Sequence, residues 1–165
     1  MKYICIKTVA IYLLATLPLL ANASTHKVKI THSVMVGNGI AKFIPEGFDA
    51  QKIPSFAIEK EPREQGALPA DWVLVPEFSL TDGKANASLT VPEGTSIYGG
   101  GEVTGSLLRN GKTIKLWNTD SGAYGVDKGT RLYQSHPWMM GVRKDGTAFG
   151  ILFDTTWKAE LSSTD

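Results

Sequence analysis

The chain has 165 residues, of which 42% are hydrophobic and 20% are charged, and its formal net charge is +1. This near-zero net charge does not indicate binding to nucleic acid or to an anionic membrane surface. Cys5 is the sole cysteine, which excludes an intramolecular disulfide, and the histidines have no cysteine or carboxylate at metal-ligand spacing. The sequence therefore predicts no metal site and no cofactor.

The first 23 residues have the pattern of a secretory leader. Lys2 and Lys7 form a basic flank, and the apolar stretch at residues 8–20 is too short to span a bilayer. It is followed by Ala21-Asn22-Ala23, the small-x-small pattern that signal peptidase accepts. We therefore expect cleavage before Ser24, a secreted or periplasmic location, and one domain over residues 24–165. A buried N-terminal helix is the alternative interpretation.

The rest of the chain favours strands. Short β-favouring runs broken by glycines fill the region before residue 59, and residues 59–70 are predicted to form an exposed loop. Further strands are predicted at 72–75, 78–80, 87–91, 113–117, 138–142 and 148–153. Asp82-Gly83 and Asp145-Gly146 predict tight hairpin turns. Many short strands separated by turns indicate an all-β fold, a β-sandwich.

The last of these strands has two apolar faces. Phe149, Ile151 and Phe153 point to one side, and Ala148, Gly150 and Leu152 point to the other. Because neither face carries a charge, we expect both faces to be covered by other parts of the protein.

Glycine is concentrated in the second half, where 12 of the 17 glycines lie between Gly94 and Gly150. The densest run, from Gly99 to Ser106, lacks the lysine of a phosphate-binding loop and is not followed by a helical pattern, so a nucleotide site is not predicted. We expect instead a strand end at which the backbone passes close to another segment, with Glu102 accepting hydrogen bonds from nearby backbone N–H groups.

The segment Trp117-Asn118-Thr119-Asp120 has a composition that suits carbohydrate. The C–H face of a sugar stacks on an indole ring, and pairs of hydroxyls are bridged by carboxylate or amide groups. The alternative is a core tryptophan followed by a turn in which Asn118 bonds its own backbone. Residue types alone leave both interpretations open.

Five motifs in a fixed order resemble one known family. They are Tyr98-Gly99-Gly100-Gly101-Glu102, Trp117-Asn118-Thr119-Asp120, Leu132-Tyr133-Gln134-Ser135-His136-Pro137-Trp138, Asp145-Gly146 and Phe149-Gly150-Ile151-Leu152-Phe153. Between residues 96 and 157 the chain resembles the N-terminal domain of family 31 glycoside hydrolases, the α-glucosidases and α-xylosidases. The resemblance implies a β-sandwich of the galactose-mutarotase type. It also implies that Asp120 bonds substrate hydroxyls from a loop beside the sugar pocket, and that Trp117 and Asn118 shape this loop.

The same resemblance implies where the chemistry lies. In the family, two aspartates on a following (β/α)8 barrel of about 250 residues hydrolyse the glycosidic bond with retention. We therefore expect the N-terminal portion of a secreted α-glucosidase-like enzyme acting on α-linked glucosides or xylosides, truncated at its C-terminal end. Its partners would be the carbohydrate and the missing barrel, and none of its own residues would be catalytic. A stand-alone carbohydrate-binding β-sandwich without hydrolase activity is the alternative, and a structural domain without a ligand is the third possibility.

Overall fold

The computed structural model describes residues 2–8, 24–49 and 63–164. Within these ranges the fold is all-β, as predicted, and no α-helix is present. Two short 3-10 helices, Gly122–Tyr124 and Val126–Gly129, follow one another in a single loop. No helix in the described part of the chain is long and apolar enough to cross a membrane.

The described strands form three antiparallel sheets. The strands are β1 (Lys2–Thr8), β2 (Thr25–Val28), β3 (Ile30–Gly37), β4 (Ile40–Pro45), β5 (Glu77–Thr81), β6 (Lys84–Val91), β7 (Ser96–Gly99), β8 (Thr113–Leu116), β9 (Trp138–Val142), β10 (Ala148–Leu152) and β11 (Ala159–Ser163). The largest sheet has the order β2-β5-β6-β1-β11-β8, the second has the order β10-β9-β7, and β3 pairs with β4.

The two larger sheets pack face to face, which makes the fold a sandwich. The larger sheet contributes the buried side chains Leu89, Val91, Ile114, Leu116, Ala159 and Leu161, and the smaller sheet contributes Ile97 and Met139. Each large apolar side chain that is fully buried stabilises the fold by about 1.5–3 kcal/mol. The alternation of buried and exposed residues along β8 and β11 follows from this one-sided packing.

Both predicted hairpins are present. Asp82 and Gly83 connect β5 to β6 with φ angles of 51° and 72°, the left-handed conformation that a two-residue turn of this kind requires at both positions. In the turn between β9 and β10, Asp145 Oδ1 accepts hydrogen bonds from the Thr147 N–H at 2.9 Å and from its hydroxyl at 2.7 Å. These bonds to Thr147 lower the pKa of the Asp145 carboxyl.

The strand predicted at residues 72–75 is not formed. The Trp72 N–H donates to the Pro69 carbonyl at 3.0 Å, and the Trp72 indole N–H donates to the Leu74 carbonyl at 2.9 Å. The segment is therefore held by local turn bonds, and Val73 is 78% exposed. Proline at both ends, Pro69 and Pro76, limits ladder pairing because proline has no N–H to donate.

The prediction that both faces of the β10 segment are covered is wrong for one face. Phe149, Ile151 and Phe153 pack against the core. Leu152, on the opposite face, is 60% exposed beside its cross-strand neighbour Trp138. The physical reason is that the three-stranded sheet meets another layer on its inner side only, within the described residues.

The N-terminal residues that the structure describes form a central strand. β1 lies between β6 and β11 and pairs antiparallel with both, so that Ile4 faces Leu89 on one side and Ser163 on the other. Most of the predicted apolar stretch and the Ala21-Asn22-Ala23 motif lie outside the described residues. The described part of the predicted loop, residues 63–70, is largely exposed, as expected.

Gly101 and Gly105 form a matched pair for testing close backbone approach. Both have a positive φ, 93° and 91°, so alanine at either position meets strain of roughly 1–2 kcal/mol. A Cβ at Gly101 would lie 2.4 Å from the Gln134 carbonyl oxygen, whereas a Cβ at Gly105 meets nothing within 4 Å. We expect Gly101→Ala to lower the free energy of unfolding by about 1–3 kcal/mol more than Gly105→Ala in urea titrations. Equal losses would show that the close approach does not constrain the fold.

Candidate functional site

A strand end rich in glycine anchors the candidate site. β7 ends at Gly99, and a Cβ there would lie 2.4 Å from the Trp138 carbonyl oxygen. The Gly100 N–H donates to the same oxygen at 3.0 Å. This stretch therefore lies against residues 134–138 at a distance that no larger residue permits, which confirms the predicted reason for the glycines.

Glu102 holds the neighbouring segment through two hydrogen bonds. Its backbone N–H donates to the Gln134 carbonyl at 2.9 Å. Its carboxylate Oε2 accepts the backbone N–H of Tyr133 at 3.1 Å. The prediction that Glu102 bonds nearby backbone N–H groups is thus confirmed, and Tyr133 is fixed at its main chain.

A buried arginine braces the loop that follows. Arg109 is buried, and its Nε donates to the Gly99 carbonyl at 3.0 Å while its Nη1 donates to the Ser106 carbonyl at 2.8 Å. Burial lowers the pKa of this guanidinium. The loop from Gly99 to Arg109 is therefore closed by one side chain that bonds both of its ends.

Asp120 lies in the loop that follows β8. The Thr119 N–H donates to the carbonyl of buried Leu132 at 2.9 Å, which ties this loop to the segment that carries Tyr133. The Tyr133 hydroxyl donates to the Ser121 carbonyl oxygen at 3.4 Å. The adjacent Asp120 carboxylate raises the pKa of Tyr133, mainly through a side-chain hydrogen-bonding interaction, followed by burial and by the charges of Asp120 and Glu102.

Trp117 and Asn118 line a separate cleft of about 400 Å³. Its other walls come from β8 and from the segments before β9 and after β10, and they are Leu116, Ser135, Pro137, Thr155, Thr156 and Trp157. Trp117 is 50% exposed, and the Lys158 ammonium lies 5.9 Å from the centre of its ring, near the limit of a cation–π contact. The cleft is lined by two indoles, hydroxyls and one amide, without a carboxylate.

The structure thus divides the three residues that the sequence predicts for substrate contact. Trp117 and Asn118 share the cleft, whereas Asp120 lies outside that lining, near the Tyr133 hydroxyl. Trp117 is half exposed, so the alternative of a core tryptophan is wrong.

Two contributors to the site were not predicted. Tyr133 has a signal in the sequence, since it lies in one of the resembling motifs. Its approach to the Asp120 loop is seen only in the structure, where Thr119 pairs with Leu132 and the Tyr133 hydroxyl donates to Ser121. Trp157 joins Trp117 only because β11 pairs with β8, and no local pattern reveals this.

The side chains of this region offer hydrogen-bond donors and acceptors. No group of three or more His, Cys, Asp and Glu side chains in the described ranges is arranged to hold a metal ion. Asp120 and Glu102 are hydrogen-bond acceptors when ionised, and the hydroxyls of Thr155 and Thr156 both donate and accept. This set suits a polyhydroxylated neutral ligand.

Comparison with known proteins agrees with the fold. The profile of the glycosyl hydrolase 31 N-terminal galactose mutarotase-like domain matches residues 24–161. Alpha-glucosidase 2 of Bacillus thermoamyloliquefaciens is 48% identical over 66 residues, which are 40% of this chain and 8% of that protein. Alpha-glucosidase of Hordeum vulgare is 42% identical over 80 residues, which are 47% of this chain and 9% of that protein.

A solved structure is also similar. The crystal structure of a family 31 alpha-glucosidase from Bacteroides thetaiotaomicron is 84% identical, with a TM-score of 0.36, and the match covers 44% of this chain and 14% of that one. The matches thus span less than a tenth of each curated relative. Since the family profile covers most of the chain, which is all-β with two packed sheets, the chain belongs to the glycoside hydrolase 31 N-terminal galactose mutarotase-like domain family.

Proposed function

We propose that the chain is the N-terminal portion of a secreted, retaining α-glucosidase-like glycoside hydrolase that acts on α-linked glucosides or xylosides. In this proposal it supplies a loop of the substrate pocket and not the catalytic aspartates. The observation that carries the proposal is the exposed Asp120 carboxylate in the loop after β8, next to the Tyr133 hydroxyl.

The chemistry of Asp120 supports a role in sugar binding. A carboxylate has two oxygens and about four acceptor positions, so the exposed Asp120 side chain can accept hydrogen bonds from the hydroxyls of a sugar. Two adjacent hydroxyls on a pyranose ring present donors at a spacing that one carboxylate can accept. The neighbouring Glu102 carboxylate adds negative charge, which favours a neutral sugar over an acidic one.

Hydrolysis is assigned to the part of the enzyme that the relatives have beyond the matched region. Retaining hydrolysis needs two carboxyl groups about 5–5.5 Å apart on either side of the scissile bond. Glu102 accepts the Tyr133 backbone N–H, and Asp120 is assigned here to substrate binding, so neither carboxylate is proposed as a catalytic group. A (β/α)8 barrel in the longer protein would hold the catalytic pair.

Asp120→Ala in the full-length enzyme tests the pocket loop. A hydrogen bond to a charged group contributes roughly 1.5–3 kcal/mol, and each 1.36 kcal/mol is a factor of ten in rate. After partial replacement by water, we expect kcat/KM for an α-glucoside to fall about 10- to 100-fold. The melting temperature should stay within a degree or two, because an exposed loop carboxylate packs little core.

Asp71→Ala is the matched control, since it removes an exposed loop carboxylate far along the chain from Asp120. We expect it to leave both kcat/KM and the melting temperature unchanged. If Asp120→Ala lowers the melting temperature by several degrees while kcat/KM is intact, the residue is structural and the pocket role is wrong.

Activity and fluorescence measurements on the 165-residue chain alone distinguish this proposal from its alternative. We expect no release of nitrophenol from p-nitrophenyl α-glucoside above the buffer rate, and no change of tryptophan fluorescence with maltose. The alternative, a stand-alone carbohydrate-binding β-sandwich, is favoured by the exposed indole of Trp117 beside Trp157 in one cleft. It predicts saturable fluorescence quenching that Trp117→Ala abolishes. Turnover that Asp120→Asn removes would contradict both.

Removal of the leader during export can be tested by measuring the mass and the N-terminal sequence of the exported protein. We propose that the leader is removed before Ser24 in the secreted or periplasmic protein, because basic flank, apolar length and small-x-small site agree. Intact-mass measurement and N-terminal sequencing of exported protein should start at Ser24, and thiol reagents should not react, since Cys5 is lost. An exported chain that still carries Lys2–Thr8 as β1 would contradict cleavage.

A further inference from the structure

We propose that Asn38 is a site of spontaneous deamidation, in which its side-chain amide is converted to a carboxylate through a cyclic imide formed with Gly39. The site lies at the tip of the β3–β4 hairpin and is independent of the proposed function of the Asp120 loop. A second Asn-Gly pair, Asn110-Gly111, is present in the chain, and the fold holds the two pairs in different ways.

The reaction requires an asparagine side chain that the next backbone nitrogen can reach. The Gly39 nitrogen, after losing its proton to hydroxide, attacks the side-chain carbonyl carbon Cγ of Asn38, and the new C–N bond closes a five-membered ring. The Cγ–Nδ2 bond breaks, and the nitrogen leaves as ammonia after taking a proton from water. Water then opens the ring at either of its two carbonyl groups, which leaves aspartate or isoaspartate at position 38.

The structure leaves the first pair open to this attack. Asn38 and Gly39 are the two loop residues between Gly37 and Ile40, the last paired positions of the hairpin, and both loop residues are exposed. Among the residues that the structure describes, none hydrogen-bonds the Asn38 side chain. Gly39 has a φ of 70°, and a Cβ there would meet nothing within 4 Å. The side chain can therefore turn toward the Gly39 nitrogen without displacing a neighbour.

The second pair has the same two residues but a fixed asparagine. Gly111 has a φ of 68°, close to that of Gly39. Asn110 Oδ1 accepts the Ile97 N–H at 2.8 Å, and Asn110 Nδ2 donates to the Thr95 carbonyl oxygen at 2.9 Å. Thr95 and Ile97 are both buried, so water does not readily replace these bonds. Asn110 must give up both hydrogen bonds before its Cγ can be attacked, and the fold thereby protects it.

The hairpin tip can carry the product while the protein stays folded. β3 and β4 form a two-stranded sheet of their own, and neither loop residue belongs to the hydrophobic core. The hairpin is attached at Met35, whose N–H donates to the Gly66 carbonyl at 2.9 Å and whose carbonyl accepts the Gln65 N–H at 2.7 Å. Local opening of an exposed tip costs little free energy compared with global unfolding. The reactive geometry at Asn38 is therefore accessible from the native state.

The first experiment compares the two sites in one sample of the 165-residue chain. The folded chain is incubated in mildly alkaline buffer, digested with an acid protease to suppress further reaction, and mapped by mass spectrometry. We expect Asn38 to deamidate about 5- to 150-fold faster than Asn110, the factor that corresponds to two ordinary hydrogen bonds. The Asn38 product should separate into an aspartate and an isoaspartate peptide. Equal rates at the two sites, or a faster rate at Asn110, would overturn the proposal.

The same measurement in concentrated urea tests whether the fold causes the difference. Unfolding removes the hydrogen bonds of Asn110 and leaves both Asn-Gly pairs otherwise intact, so we expect the two rates to become similar. A ratio that persists in the unfolded chain would assign the difference to the flanking residues, and the structural inference would be wrong. An Asn38 that reacts in urea and not in the folded chain would contradict it as well.

Two matched variants test whether the folded protein tolerates the product. Asn38→Asp introduces the charge of one product at an exposed turn, so its melting temperature should stay within a degree or two. Asn110→Asp removes the donor to the buried Thr95 carbonyl, so its melting temperature should fall by several degrees. A large loss in Asn38→Asp would show that the hairpin tip cannot carry the modification. An unchanged Asn110→Asp would show that its bonds give no protection.

Discussion

The close approach of the Gly99–Gly101 backbone to residues 134–138 is the constraint on which the rest of the site depends. Two carbonyl oxygens, those of Trp138 and Gln134, occupy the space that a Cβ would need at Gly99 and Gly101. This contact sets the position of Glu102, which in turn fixes the main chain of Tyr133. The geometry of an exposed loop is therefore determined by backbone packing at a strand end, several residues away from the side chains that face solvent.

The exposed side chains beyond this strand end fall into two chemically different groups. The Trp117 cleft is aromatic and uncharged, whereas the Asp120 loop carries carboxylates and phenols. In the proposed function, the first group would stack on a sugar ring and the second would bond its hydroxyls. Trp117 and Asp120 are three residues apart in the loop that begins where β8 ends, so this one loop contributes to both groups.

The sequence predicted the local features of this fold well. The Asp82-Gly83 and Asp145-Gly146 turns and most of the strands were predictable, because turn residues and alternation act over a few positions. The strand prediction for residues 72–75 is wrong because local hydrogen bonds of Trp72, to Pro69 and Leu74, outweigh the β preference of these residues. The prediction that both faces of β10 are covered is wrong for one face, because composition shows only that a face is apolar. It does not show whether another layer covers that face.

The site was predictable only in part, for the same reason. Asp120, Trp117 and Asn118 come from one contiguous motif and stay predicted site residues, and their division into two groups depends on the chain path after β8. Tyr133 and Trp157 reach the site through pairings between segments that are distant in sequence, Thr119 with Leu132 and β8 with β11. Contacts of this kind have no periodic signature in one sequence.

The position of β1 in the larger sheet determines whether that sheet is continuous. β1 pairs with β6 and with β11, so the sheet is continuous only while residues 2–8 are present. A chain that has lost them presents two unpaired strand edges that face each other across an open gap, and such edges are templates for pairing between chains. Loss of residues 2–8 would therefore leave the larger sheet open between β6 and β11 unless another strand fills the gap.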